Sequence, residues 1–356
     1  MTQKNETTTL ILTLAITAII VGGGFWVFNR FQGNQPTPTQ SSNVTQTGVN
    51  QIDSTQTNSE RPPPETFAEV KDVPSGLFNY GGSTTWAPIR KEIDVAIQTV
   101  YPKFKLRYTD PISGTPGSGT GIKMLLDNQL AFSQSSRSVT TKEYQQAEQK
   151  GFTLKEIPVA IDGIAIAVNP NLNIPGITIS QLKDIYTGKI RNWSEVGGDN
   201  IPIIPYSRSK EAGGTVEFFV NNVMEEEEFG DQIEYVYGTT QGLRKVAANQ
   251  GGIYYASAPE VVPQCTIKTL PIGRKADEFV PPYQPPFIPL SECPNQRNQL
   301  NQQGFATGEY PITRRLFVIV KQNGQEDESA GLAYAEFLLT NQGQELINQA
   351  GFVPIR

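Results

Sequence analysis

The chain has 356 residues, a formal net charge of −6 and no histidine. That length allows two folded halves of ordinary size, and an acidic balance without a basic stripe argues against nucleic acid as a main partner. The missing histidines exclude Ser-His-Asp and Cys-His nucleophilic catalysis and the usual histidine-bearing metal sites. No Walker-type phosphate loop or paired-acid motif stands out, so binding is favoured over catalysis, with no cofactor or metal expected.

Residues 10–28 (LILTLAITAIIVGGGFWVF) are almost wholly apolar and uncharged, about the length that crosses a bilayer. Lys4 before and Arg30 after give little charge asymmetry. Gly22, Gly23 and Gly24 offer small residues for cleavage but no A-x-A pattern. An uncleaved anchor and a cleaved export signal both stand for residues 1–31, and no cysteine lies there to carry a lipid. Residues 32–64 are rich in Gln, Thr, Asn, Ser and Pro. They cannot bury enough apolar surface to offset their conformational entropy, so a disordered tether is expected. The folded part is expected over 65–356.

From Phe67 onward short apolar runs alternate with helical spacing. Strands are expected up to Asn79 and Tyr80, and over 105–108, 131–133, 161–168, 203–206, 252–255 and 316–320. Helices are expected over 89–100, 121–127, 141–150, 179–186, 215–223, 242–248 and 329–350. Such alternation predicts an α/β architecture with mostly parallel sheets, in which ligands sit beyond the strand C-termini. Cys265 and Cys293 are the only cysteines, and they bracket a proline-laden stretch. In a chain sent across a membrane they are expected to pair, the alternative being two free buried thiols. Closing a loop of roughly thirty residues would contribute on the order of 3–4 kcal/mol.

Three Gly/Ser/Thr loops precede expected helices: GGSTTWAP (81–88), GSGTGIKMLL (117–126) and SRSKEAGGTVEFF (207–219). A helix N-terminus leaves backbone N–H groups unpaired and carries partial positive charge, so it can seat an oxyanion. One such loop is ordinary capping chemistry. Three, with Arg137 and Arg208 nearby, point to helix ends converging on one small anion.

These loops, with VAIDGIAIAVNP, ISQLKDIYTGKIRNWSEVGG, GGIYYASA, YPITRRLFVIV and FLLTNQGQELINQAGFVPI in that order, carry a resemblance. Over residues 76–356 the chain resembles the phosphate-binding proteins of bacterial ABC transporters, two-lobed type II periplasmic binding proteins. The resemblance implies lobe one over about 76–157 plus 310–356 and lobe two over about 158–309, each a mostly parallel sheet flanked by helices, joined by crossover hinge strands. It implies a phosphate cradle of Thr84, Thr85 and Trp86 from the first loop and Ser118, Gly119 and Thr120 from the second. The other lobe would add Arg208, Gly213, Gly214 and Thr215, with Arg208 as the planar charge partner.

Two departures from the family pattern stand out. Some members carry an aspartate, which accepts the proton of hydrogen phosphate, where this chain has Ser136 followed by Arg137. Arg137 is expected as a second cationic clamp, the alternative being a cap on a surface turn. Asp162, a charge in an apolar run, is expected to replace the missing acid, unless it is a turn or edge residue facing solvent. Gly213 stands where serine is common, which removes one hydroxyl donor. Glu225–Glu228 is read as a solvated run and Trp193 as a packing residue, while Arg314 and Arg315 could reach the hinge or only the surface.

The implied function is capture of inorganic phosphate at the extracytoplasmic face and delivery to permease subunits by a monomer. A phosphate sensor, a cell-surface interaction module and a binder of sulfate or arsenate are the alternatives. A phosphatase is disfavoured by the absent histidines.

Overall fold

The computed structural model describes residues 64–209 and 213–356. The expected membrane segment 1–31 and almost all of the expected tether 32–64 lie outside them, as do 210–212 of the third glycine loop.

The first elements are β1 (Gly76–Gly82), a 3-10 turn (Thr84–Trp86), α1 (Ala87–Val100), β2 (Phe104–Tyr108), α2 (Ser118–Leu126), β3 (Phe132–Ser135) and α3 (Thr141–Gln149). The long strand β4 (Thr153–Val168) leads to β5 (Ile177–Thr178), α4 (Ile179–Thr187), β6 (Ile204–Ser207), α5 (Gly214–Asn222) and β7 (Glu234–Tyr235). Next come α6 (Thr239–Ala248), β8 (Gly252–Ser257), α7 (Ala258–Val261), β9 (Lys268–Leu270), β10 (Ile272–Gly273), β11 (Phe279–Val280) and α8 (Gln302–Thr307). The chain returns through β12 (Thr313–Gln322), α9 (Glu326–Leu339), α10 (Asn341–Gln349) and β13 (Val353–Pro354).

The main sheet runs β2-β1-β3-β12-β4-β8-β6-β7. Its two flanks are parallel, β2 and β3 on β1 at one side and β8 and β7 on β6 at the other. Between them β12 and β4 run antiparallel, so the mixed α/β architecture is less uniformly parallel than the alternation predicts. Two large cores pack on different parts of this sheet, one on its β4-β8-β6 side and one on its β2-β1-β3-β12 side. One is drawn from Ile164 to Ile312 plus Val353, the other from Phe67 to Phe104, Ala131 to Ala160 and Leu316 to Phe352. The chain passes from one to the other along β4 and returns along β12. A bridge joins Cys265 to Cys293, as expected from the compartment argument.

Local sequence explains the helix bounds. Ile89, Ile93 and Ile97 are fully buried one turn apart, giving α1 a narrow apolar stripe. Thr140 with Glu143, and Thr178 with Gln181, form reciprocal capping boxes that start α3 and α4. The single helix expected over 329–350 is two. Thr340 is extended, and its Oγ1 accepts from the Gly343 amide, so it ends α9 and caps α10. β4 begins eight residues earlier than the expected start at 161. Charges and Pro158 hide that first half, and the register shifts where Phe317 faces Pro158 and Leu316 faces Ala160. An irregularity is where a strand tolerates a residue without an N–H.

Candidate functional site

The three glycine loops meet. A side chain on Gly117 would run into the Gly213 backbone, and one on Gly214 would collide with the Ser118 and Ser136 hydroxyls. Gly213 has φ 110° and ψ −178°, a conformation closed to residues with a Cβ. The departure from serine at Gly213 therefore has a backbone reason: this turn admits only glycine. The first turns of α2 and α5 are thus pressed together, with the 3-10 turn at Thr84–Trp86 alongside.

Beside this junction lies a cavity of about 60 Å³ lined by Thr84, Thr85, Arg208, Thr215, Val216, Thr239, Tyr254, Tyr255, Ala256 and Glu260. At ~10–15 Å³ per water position it holds roughly four to six waters, or one small tetrahedral ion. Hydroxyls reach it from three helical starts: Thr84 and Thr85 before α1, Thr215 in α5, and Thr239 at the head of α6. Among the described residues the buried Nε of Arg208 has no hydrogen-bond partner. An unpaired buried donor of that kind is costly unless something fills the space it faces. Tyr255 closes the wall, its hydroxyl 2.7 Å from Ser207 Oγ. Burial pushes the Tyr254 phenol up to about 12, despite Thr239 and Arg208 pulling it down, so it stays neutral.

Arg314 lies behind the cavity wall, bonded to two of the residues that line it. Its Nη2 donates at 3.0 Å to both Thr85 Oγ1 and Thr215 Oγ1, while Nη1 donates to the Gly214 carbonyl at 3.1 Å. Nε donates to Asp162 Oδ2 at 2.9 Å, directly across the β4–β12 ladder. Asp162 Oδ1 accepts from Ser257 Oγ at 2.6 Å. Asp162 is 1% exposed and Arg314 5%. Burial pushes the Asp162 carboxyl up, and Arg314, Ser257 and the Ala258 amide pull it back.

The residues singled out in the sequence divide. Thr84, Thr85, Arg208 and Thr215 line the cavity. Ser118 and Ser136 do not; they lie behind Gly214 in a buried hydroxyl chain with Ser83, at 3.0 and 3.2 Å. Trp86 is a packing residue whose Nε1 donates to the Ser135 carbonyl at 3.1 Å. Thr120 Oγ1 turns back to the Thr115 carbonyl at 2.9 Å.

Two expectations need correction. Arg137 is not on the cavity: Glu143 takes both its Nη atoms at 2.9 and 2.8 Å, and Glu217 takes Nε at 2.6 Å. A guanidinium already matched to two carboxylates has no free edge for a ligand, and Gly119 lies against that pair rather than against the cavity. Asp162 is likewise not free to take a ligand proton, because Arg314, Ser257 and the Ala258 amide engage its oxygens.

Glu260 was not singled out by the sequence, yet among the described residues it is the one carboxylate that lines the cavity. The residue as a whole is exposed, but its carboxyl belongs to the cavity lining, with Oε2 3.4 Å from Thr239 Oγ1. Burial and the nearby Asp162 raise its carboxyl above the usual range, while Thr239, Arg208 and Arg314 pull it down. No periodicity marks Glu260, since it follows Pro259 in an ordinary short helix. Arg314 did leave a signal: it and Asp162 are both charges inside apolar strand runs, and such charges are buried in pairs.

Comparison with known proteins places the chain in a family. Residues 39–342 match the model of the PBP superfamily domain. The phosphate-binding protein PstS of Staphylococcus epidermidis is 26% identical over 277 residues, covering 76% of this chain and 77% of that one. A Clostridium perfringens structure with bound phosphate, assigned as a phosphate ABC transporter substrate-binding protein, aligns with a TM-score of 0.60. Its sequence is 23% identical, over 79% of this chain and 100% of that one. An ABC-type phosphate transport receptor from Vibrio cholerae gives a TM-score of 0.61 at 21% identity, over 78% and 99% of the two chains. At these identities the solved structures share the fold with this chain, and the family is one of substrate-binding proteins rather than enzymes. With its match spanning most of the sequence, the chain belongs to the PBP superfamily.

Proposed function

We propose that this chain is an extracytoplasmic binding protein that captures inorganic phosphate between two lobes and hands it to the permease of an ABC transporter. The observation that carries the reading is the small cavity where the unpaired Nε of Arg208 meets threonine hydroxyls from three helical starts. A dehydrated tetrahedral oxyanion needs such a set: one planar cation, several neutral donors and helix dipoles aimed at it. The relatives named for phosphate support the choice of ligand.

The lobes are assigned to about 76–157 plus 310–356 and about 158–309, and β4 and β12 are the crossover strands about which they hinge. Loop-to-loop contacts at Gly117, Gly213 and Gly214 then belong to the closed form. The apolar stretch at 10–28 serves as anchor or export signal, which keeps the binding protein beside its permease.

Glu260 sets the selectivity in this reading. An ionised carboxylate facing an oxyanion is repelled unless a proton is shared between them. Hydrogen phosphate brings that proton and sulfate does not. Calorimetric titration with phosphate and with sulfate at pH 7 tests the assignment. Phosphate binding in the unsubstituted protein, reduced at least a hundredfold in Arg208→Met, supports it. Binding of neither anion, or phosphate binding indifferent to Arg208, overturns it.

A further inference from the structure

Arg137 and Glu217 meet across the junction of the two cores, away from the cavity. Arg137 follows β3, whose residues pack in the core completed by 316–352, whereas Glu217 lies in the first turn of α5, in the core of 164–312. The arginine is held from its own side first. Glu143 accepts from both Nη atoms at 2.9 and 2.8 Å, and the Ser138 carbonyl accepts from Nη1 at 2.8 Å. That leaves Nε as the edge directed at Glu217, 2.6 Å away. Among the described residues Arg137 is the only ionic partner of Glu217. The side chains are 12%, 14% and 30% exposed for Arg137, Glu143 and Glu217.

Gly119 shows that the approach is built in. A methyl group there would stand 2.9 Å from Glu217 Oε1 and 3.1 Å from Arg137 Nη2, tighter than ordinary contact. The absence of a side chain at Gly119, the second residue of α2, lets the two charges meet. Burial works against the Arg137 cation, but Glu143 and Glu217 outweigh it, so it stays charged.

We propose that Arg137 and Glu217 are a latch that holds the lobes shut without touching the ligand. The proposal rests on the two-lobe reading above. Arg137 is the fixed half, oriented by Glu143 whether the lobes are open or closed, and Glu217 is the half that arrives with α5. Because the fixed half is already ordered, closing the pair costs little side-chain entropy. Its effect falls on the closed state alone, so it slows ligand escape and leaves ligand entry nearly unchanged. Arg137 and Glu217 are thus positioning residues for closure.

The test uses the full chain with spin labels on cysteines introduced at the exposed Val95 and Tyr235, one on each side. Label separation is measured with and without inorganic phosphate, and phosphate dissociation by stopped flow. In Glu217→Gln the dissociation rate should rise about tenfold, the association rate should hold, and the short-distance population without phosphate should fall. Glu217→Asp, which keeps the charge, should recover part of each effect. An unfolding midpoint equal to that of the unsubstituted protein in the absence of phosphate separates a latch from a structural prop. Unchanged label distances in Glu217→Gln overturn the latch, whatever the ligand. If no variant binds phosphate, the ligand assignment fails, and the label distances still decide the latch.

Discussion

Two arginines bridge the same pair of cores in opposite ways. Arg314 is buried behind the cavity wall, bonded to Asp162 and to the hydroxyls of Thr85 and Thr215. Arg137 sits nearer the rim, clasped by Glu143 and Glu217, with no ligand surface. The inner arginine has a single carboxylate in contact and spends its other donors on neutral groups of the site. The outer one is charge-matched twice over. A guanidinium can shape a binding site only while part of its fork is unclaimed by acids, and this accounting separates the two roles better than nearness to a glycine loop does.

The comparison can be broken most sharply from the inside. Asp162→Asn leaves Arg314 buried without its counter-charge, and the expected cost is about 3–5 kcal/mol of folding stability, read from urea unfolding at pH 7. A loss as small as that of an exposed pair would put Asp162 back among the ligand groups. Next in size, Gly213→Ala forces a Cβ into a left-handed turn pressed against the 116–117 backbone. It should lower stability by ~1–3 kcal/mol and weaken phosphate binding, both measurable by thermal shift with and without phosphate. Arg314→Lys keeps the charge but cannot hold Asp162, Thr85 and Thr215 together. Phosphate affinity by calorimetry should fall about tenfold, while Arg137→Lys should act on dissociation only.

The smallest effect concerns pH. The Glu260 carboxyl is raised, so its neutral form persists to higher pH than that of a free glutamate. In that form it can donate to a proton-free anion; once ionised it repels one. Sulfate binding should therefore weaken as pH rises through the raised carboxyl range, while phosphate binding persists. Glu260→Gln should flatten the sulfate profile. A sulfate profile in the unsubstituted protein that is already flat between pH 4.5 and 8 would remove Glu260 from the selectivity.

Much of the fold was legible because periodicity and capping agree. The isoleucine stripe of α1 and the boxes at Thr140 and Thr178 specify their helices locally. The split at Thr340 was harder, since apolar spacing runs through it and only the Thr340–Gly343 cap marks the break. In the site, the loops led to Thr84, Thr85, Arg208 and Thr215. They misplaced Arg137 because sequence does not say which acids reach a cation: Glu143 is six residues away, but Glu217 arrives from a different core. Glu260 and Thr239 escaped notice for the same reason, being brought to the cavity by α6 and α7 rather than by any motif.

The paths of β4 and β12 carry one more consequence, for the order in which the chain can fold. The core of residues 164–312 is, apart from Val353, drawn from one uninterrupted stretch. The other core needs Leu316, Tyr334, Phe337 and Phe352 to close around Tyr80 and Phe132. A chain made or exported from its N-terminus therefore presents its first strands long before their packing partners exist. The later stretch can complete its core first, against the usual N-to-C order of domain folding. The aromatic faces of Tyr80 and Phe132, stacked in the finished protein, are the surfaces that must wait longest uncovered.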